Sequence, residues 1–348
     1  MAKKKKKNKK VEAEVIEEVT VEEEVGITAE EFEASVMEDE IAVSEGDGAE
    51  AVKPKRSKAA DIVQIALIVV FASVFAVCAV MLAQNIAGKI KGAGIYEDAS
   101  NQFEVFVPGE DSGATKHPTL YAPMMLPEHA VGMQSLYDRL SSGSTDSSSG
   151  SSEYSQQLAN MRASLSSFRD INDEVYGWIY VPGTRINYPI LRGKDNDYYL
   201  DHAYNREVVP IGSIFADFTT KDNVEDNFNM VLYGHNVTTG QMFHDVTNFL
   251  KAEVFADTLM YIYTMDGIYV YKPVAIYATT SDNFYYKTEF ISENDFIQYA
   301  NNQIKYSQHK TTEEFGEGDR MLTLSTCTNG TSGDGRYAMH AILIEIIK

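Results

Sequence analysis

Residues 323 to 330 read TLSTCTNG, and the thiol among them, Cys327, stands where an apolar, strand-like run breaks into small polar residues. A lone cysteine is most often a small buried hydrophobe. The surroundings of this one point elsewhere. Arg336 opens the next strand-like run, GRYAMHAILIEIIK, nine residues downstream. A strand-loop-strand connection of that length can bring a guanidinium beside the thiol. There it would lower the thiol pKa from its ~8.5 reference and donate to the oxygen of an acyl intermediate. An arginine that merely caps the last strand is the alternative.

Thiol acylation also needs a group to hold the nucleophile's proton and later protonate a leaving amine, which points to an imidazole. The chain has seven histidines. His117, His129 and His309 fall in irregular or polar stretches and read as surface residues. His202 and His244 fall on presumptive short helices, where a packed or solvated role is expected. His340 alternates with Arg336, Ala338 and Ile342, so it either shares a face with the arginine or is a satisfied sheet histidine. His235 differs from all of these, because in NMVLYGHNV it ends an apolar run after Gly234 and before a polar loop. Cys327 stands in the same relation to TLSTC. Two such side chains at strand ends can converge on one rim of a sheet closed on itself.

The elements that must position them are short and β-prone. GWIYVPG, INYPILRG, GSIFADF, NMVLYGHN, TLMYIYTMDGIYVYKPVAIYATT, RMLTLSTC and GRYAMHAILIEIIK supply eight strands, with Asp266-Gly267 as a hairpin turn inside the fifth of these runs. Regular short strands with few helices imply a barrel or a sandwich. Ahead of them, Leu158, Met161, Leu165 and Phe168 recur at helical spacing and predict an amphipathic helix. Two helical inserts interrupt the strands: QMFHDVTNFL, and SENDFIQYANNQIKYS with Ser292 as N-cap. The second lies in a connection of about 40 residues, a length that usually carries function.

Upstream of residue 156 the chain changes character. Ile62 to Gly88 contains no charge and is long enough to span the ~30 Å hydrocarbon layer of a bilayer. Lys53, Lys55, Arg56 and Lys58 precede it, and the positive-inside rule then places the N-terminus in the cytoplasm and everything after about residue 88 outside. The expected organisation is a disordered cytoplasmic tail over 1–60, basic at first and then glutamate-rich, and a transmembrane signal anchor over 61–88. A membrane-proximal region with a Ser/Gly linker follows over 89–155, then a catalytic domain over 156–348. The composition, 44% hydrophobic, excludes wholesale disorder, and the net charge of -21 excludes a general nucleic-acid binder. On this topology Cys327 is the single external cysteine, so an intradomain disulfide is excluded.

The combination of YGHN with His235, TLSTC with Cys327 and the later Arg336 resembles the His, Cys and Arg of the sortases, membrane-anchored transpeptidases of Gram-positive bacteria. The run from Gly177 to Phe218, the predicted N-terminal helix and the helix-bearing insert before the cysteine strand are similar to class B sortases, and the resemblance extends from about Leu158 to Lys348. It implies a mainly β fold: an eight-stranded sortase β-barrel. It also implies a reaction in which Cys327 attacks the Thr carbonyl of a C-terminal sorting motif on a surface protein. A peptidoglycan-precursor amine would then resolve the thioacyl enzyme. His235 would serve as general acid and base and Arg336 would hold the oxyanion, while Asn196, Leu200, Ser325 and Thr326 would line the peptide groove. Neither a cofactor nor a metal is expected, because the acidic residues Asp217, Asp222, Glu225 and Asp226 lack an ordered ligand spacing. The rivals are a cysteine protease with water as acceptor and a non-catalytic, membrane-anchored adhesin or scaffold.

Overall fold

The computed structural model describes residues 58–107, 150–328 and 333–348. The N-terminal tail, linker residues 141–149, His117 and His129 lie outside the described residues. Contacts divide the chain into a unit that ends at Val70 and one that runs from Phe71 to Lys348. In the first, the described residues are all helical. The second holds the remaining described elements.

Eight strands form a closed barrel: β1 (Val175–Tyr180), β2 (Asn187–Leu191), β3 (Ile214–Ala216), β4 (Asn229–Tyr233), β5 (Met260–Tyr263), β6 (Ile268–Thr280), β7 (Met321–Cys327) and β8 (Gly335–Ile347). The order around the barrel is β1-β2-β3-β4-β7-β8-β6-β5, with β5 returning to β1. Of the two folds left open by the strand spacing, the barrel is the one formed. Trp178, Ile179, Ile190, Leu232, Ile262, Val270, Leu322, Leu324 and Met339 meet in its main core. The β5–β6 hairpin turns through Asp266 and Gly267, closed by Thr264 N donating to the Gly267 carbonyl at 2.9 Å.

Two neighbouring pairs, β2/β3 and β4/β7, run parallel. A parallel pair cannot be joined by a tight turn and needs a long crossover. Residues 192–213 supply that crossover between β2 and β3. Because β6 and β7 flank β8 and both run antiparallel to it, they are parallel to each other, and residues 281–320 connect them. The helix Glu293–Lys305 lies in this second crossover, N-capped by Ser292, whose hydroxyl accepts from Asp295 N. Residues 243–250 form a 3₁₀ segment after β4, where the sequence predicts a helical insert. His202 stands in a turn with an isolated bridge to Val208, not on a helix.

Helix α1 (Lys58–Gln102) and helix α2 (Gly150–Ile171) precede the strands. The predicted apolar stripe of α2, Leu158, Met161, Leu165 and Phe168, is buried throughout. The end of α1 departs from the sequence expectation of an irregular region after residue 88. It stays helical to Gln102, and Gly92, Tyr96, Ala99 and Phe103 form one buried stripe at helical spacing. The Phe103 ring stacks on Trp178 at 4.2 Å with the planes 5° apart, and also meets Phe168 and Tyr263. Two of the glycines that look like helix breakers, Gly88 and Gly92, are contact points. A Cβ on Gly92 would fall 2.7 Å from Ile211 Cδ1. The folded body therefore takes in residues well upstream of 156.

The apolar part of α1 contrasts with this stripe. Its side chains from Ile62 to Ile86 are exposed, and mean hydropathy reaches 3.0. Among the described residues it is the one helix long and apolar enough to cross a membrane.

Candidate active site

Alternation along β7 decides which side chains share a face. Leu322 and Leu324 point into the main core, whereas Met321 packs in a second cluster with Phe296 and Ala300 of the helix Glu293–Lys305. Thr323, Ser325 and Cys327 follow Met321 on this outer face, beneath the 281–320 crossover. On β8 the partners of Met321, Thr323, Ser325 and Cys327 are Ile342, His340, Ala338 and Arg336. Residues directly opposite in an antiparallel pair lie side by side on one face. Cys327 and Arg336 are such a pair, at the end of the ladder.

His235 reaches the same end from the other side. β4 and β7 pair in parallel register with Tyr233 opposite Ser325, and Gly234 N continues the ladder to the Ser325 carbonyl at 3.1 Å. Asn236 Nδ2 then donates to the Cys327 carbonyl at 2.9 Å. The segment carrying His235 is thus tied to the nucleophile's own backbone. His235 Nε2 lies 2.8 Å from the Leu200 carbonyl. A carbonyl only accepts, so Nε2 carries a hydrogen, and Nδ1 of the neutral ring is left with its lone pair free to accept one.

Arg336 Nη1 donates to the carbonyls of Gly333 and Gly335 at 3.1 and 3.0 Å. These bonds fix the guanidinium at the rim, and among the described residues it forms no ion pair. Tyr285, from the crossover, shares a 2.8 Å hydrogen bond with Ser325 Oγ and lies within electrostatic reach of Arg336 and Cys327. Burial raises its phenol above the ordinary tyrosine range, so Tyr285 is protonated at neutral pH.

The expected groove residues divide into two kinds. Leu200 is exposed beside the His235 contact, and Ser325 lies on the Cys327 face with its hydroxyl engaged by Tyr285. Asn196 spends its amide on the fold, donating to Asp217 Oδ2 at 2.9 Å and accepting from Phe218 N at 3.0 Å. Thr326 is turned to the opposite face of β7, buried, and its hydroxyl has no hydrogen-bond partner among the described residues. The acidic cluster is dispersed: Asp217 accepts from Asn196, Thr219 and Tyr233, Asp222 pairs with Arg192, and Glu225 pairs with Lys348.

His340 does share the face with Arg336, but four residues deeper. Its Nδ1 lies 2.8 Å from Thr323 Oγ1 and its Nε2 2.9 Å from the Tyr277 hydroxyl, and burial pushes its pKa down to about 3. It is a neutral, satisfied sheet histidine. His309 bonds the Phe249 carbonyl. Asn236 and His244, whose Nδ1 lies 2.8 Å from Asn236 Oδ1, form a supporting pair that the sequence does not mark. The adjacency of Asn236 to His235 is the one signal in the sequence that could have found it.

A family model for the sortase domain matches residues 179–344, a span that contains His235, Cys327 and Arg336. Sortase B of Listeria monocytogenes is 36% identical over 187 residues, covering 53% of this chain and 75% of that protein. The chain belongs to the sortase family, in its class B. Sortase B of Staphylococcus aureus is 32% identical over 196 residues, covering 56% of this sortase and 79% of that protein. Among solved structures, a Staphylococcus aureus sortase B–substrate complex superposes with a TM-score of 0.50 at 30% identity, covering 56% of this sortase and 92% of that chain. A mutant form of Clostridium perfringens sortase B gives 0.52 at 29% identity, covering 61% and 98%. The sortase is a cysteine transpeptidase, and its closed barrel and preceding helix are those the resemblance implies.

Proposed function

We propose that Cys327, His235 and Arg336 carry the transpeptidation of this sortase. The Cys327 thiolate adds to the carbonyl carbon of Thr in a C-terminal sorting motif, and Arg336 holds the oxygen as it gains charge. The C–N bond breaks as His235 Nδ1 protonates the departing amine, leaving a thioester on Cys327. An amine from a cell-wall precursor adds to the thioester, gives a proton to His235, and expels the thiolate. The clients are surface proteins bearing the motif, which become linked to peptidoglycan. Leu200 lines the groove from its exposed position and Ser325 from the face it shares with Cys327, while Asn196 holds the loop through Phe218 N and Thr326 contributes the backbone next to the thiol.

The observation that carries this reading is the direct opposition of Cys327 and Arg336 across β7 and β8, with the His235 segment tied to the Cys327 carbonyl through Asn236. The apolar part of α1 serves as the anchor, and the cationic residues before it set the N-terminus in the cytoplasm and the barrel outside. Intact-mass spectrometry of the full chain in detergent, with a panel of sorting-motif peptides, tests the chemistry. The expected result is an adduct equal to the peptide cleaved after Thr, absent in Cys327→Ala and discharged faster by an added amine than by water. An adduct that survives in Cys327→Ala would remove the thiol from the mechanism. Discharge indifferent to the amine would make the enzyme a protease.

A further inference from the structure

The buried end of α1 bears on the catalytic histidine. Tyr96 is buried, with its ring edge-on to Tyr188 at 5.5 Å and tilted against Tyr204. Its hydroxyl donates to the Gly212 carbonyl at 2.9 Å and lies 2.7 Å from Ser213 Oγ. Those two residues close the β2–β3 crossover on itself. Ser213 N donates to the Tyr199 carbonyl at 2.9 Å, and Ser213 Oγ donates to the His202 carbonyl at 2.7 Å. Gly212 has φ +58, and a Cβ there would fall 2.4 Å from the Leu200 carbonyl oxygen. That same oxygen accepts from His235 Nε2. Every link from Tyr96 to the imidazole is thus a hydrogen bond or a contact too tight for a side chain.

We propose that Tyr96, on the helix that continues the membrane anchor, is a positioning residue for His235: by holding Gly212 and Ser213 it fixes the Leu200 carbonyl that sets the imidazole's tautomer and direction. The inference rests on His235 as the proton-transfer group. The anchor helix is then a structural component of the reaction centre as well as a tether. A hydrogen bond from Nε2 to a fixed carbonyl holds the imidazole in one tautomer and one direction. Loosening the carbonyl weakens both.

The test uses the full chain in detergent micelles and iodoacetamide as the probe, with alkylation of Cys327 followed by peptide mass against pH so that Cys78 is counted separately. In Tyr96→Phe, which keeps the ring and removes the hydroxyl, the profile changes, with a roughly threefold lower alkylation rate near neutral pH, the size of one lost hydrogen bond. Phe103→Leu is the control on the same helix; it packs on Trp178 and leaves the profile in place while lowering the unfolding temperature. A Tyr96→Phe profile that coincides with wild type, or a change shared equally by Phe103→Leu, overturns the inference and leaves Tyr96 as packing. His235→Ala separates the two levels of the argument. If it leaves the profile unaltered, the role of His235 itself fails. If it changes the profile while Tyr96→Phe does not, only the positioning role fails.

Discussion

Arg336 is held at the rim by the carbonyls of its own loop, so its charge is available to a substrate oxygen opposite Cys327. Lysine keeps the charge but loses the planar fork. Arg336→Lys is therefore expected to lower kcat about 10²-fold or more with a smaller change in KM, measured by single-turnover acylation; an unchanged kcat would return Arg336 to the role of a loop cap. That Cys327, His235 and Arg336 would lie near one rim was legible because each is a reactive side chain at the boundary of an apolar run, and strand ends of one barrel converge. The Leu200 carbonyl was not, since a backbone acceptor has no sequence signature. Thr326 shows the opposite limit. Adjacency to the nucleophile placed it in the groove, but the two-residue period of a strand turns neighbours to opposite faces, and only the register says which face is which.

At the scale of elements, the two crossovers demanded by parallel pairing bring Leu200 and Tyr285 to the site, and a long apolar-punctuated connection made the second of them readable. The buried His340 beneath it makes a pH prediction. His340 is neutral in the fold with its pKa pushed down to about 3, while in the unfolded chain it titrates near 6.5. The unfolded state thus binds the extra proton first as pH falls. The contribution is present in full above about 6.5 and is lost progressively down to about 3, on the order of a few kcal/mol over that window. Urea midpoints of wild type should fall more steeply from pH 7 to pH 4 than those of His340→Gln; parallel slopes would show that carboxylates alone set the acid limit. The continuation of α1 past Gly88 was hidden from the sequence by its glycines, which weaken a helix in isolation but here admit Pro210 and Ile211. Gly92→Leu is accordingly expected to lower the unfolding temperature by several degrees, about what 1–3 kcal/mol of overpacking produces in a body of this size, read by calorimetry.

For the whole molecule, the folded body extends upstream to the end of α1. Phe103→Ala should cost about 3–5 kcal/mol, because the ring fills the space between Trp178, Phe168 and Tyr263. A chain beginning at residue 108 should unfold at a lower temperature than one beginning at residue 89, and equal midpoints would show that the α1 stripe adds nothing. The closed barrel has one more consequence. Each of the eight strands has a hydrogen-bonded neighbour on both sides over part of its length, so the barrel offers no free edge strand for an incoming peptide to extend. On the proposed function, a client tail is then gripped by side chains and crossover loops, and changing which tails are accepted means rewriting those loops while the strands stay as they are.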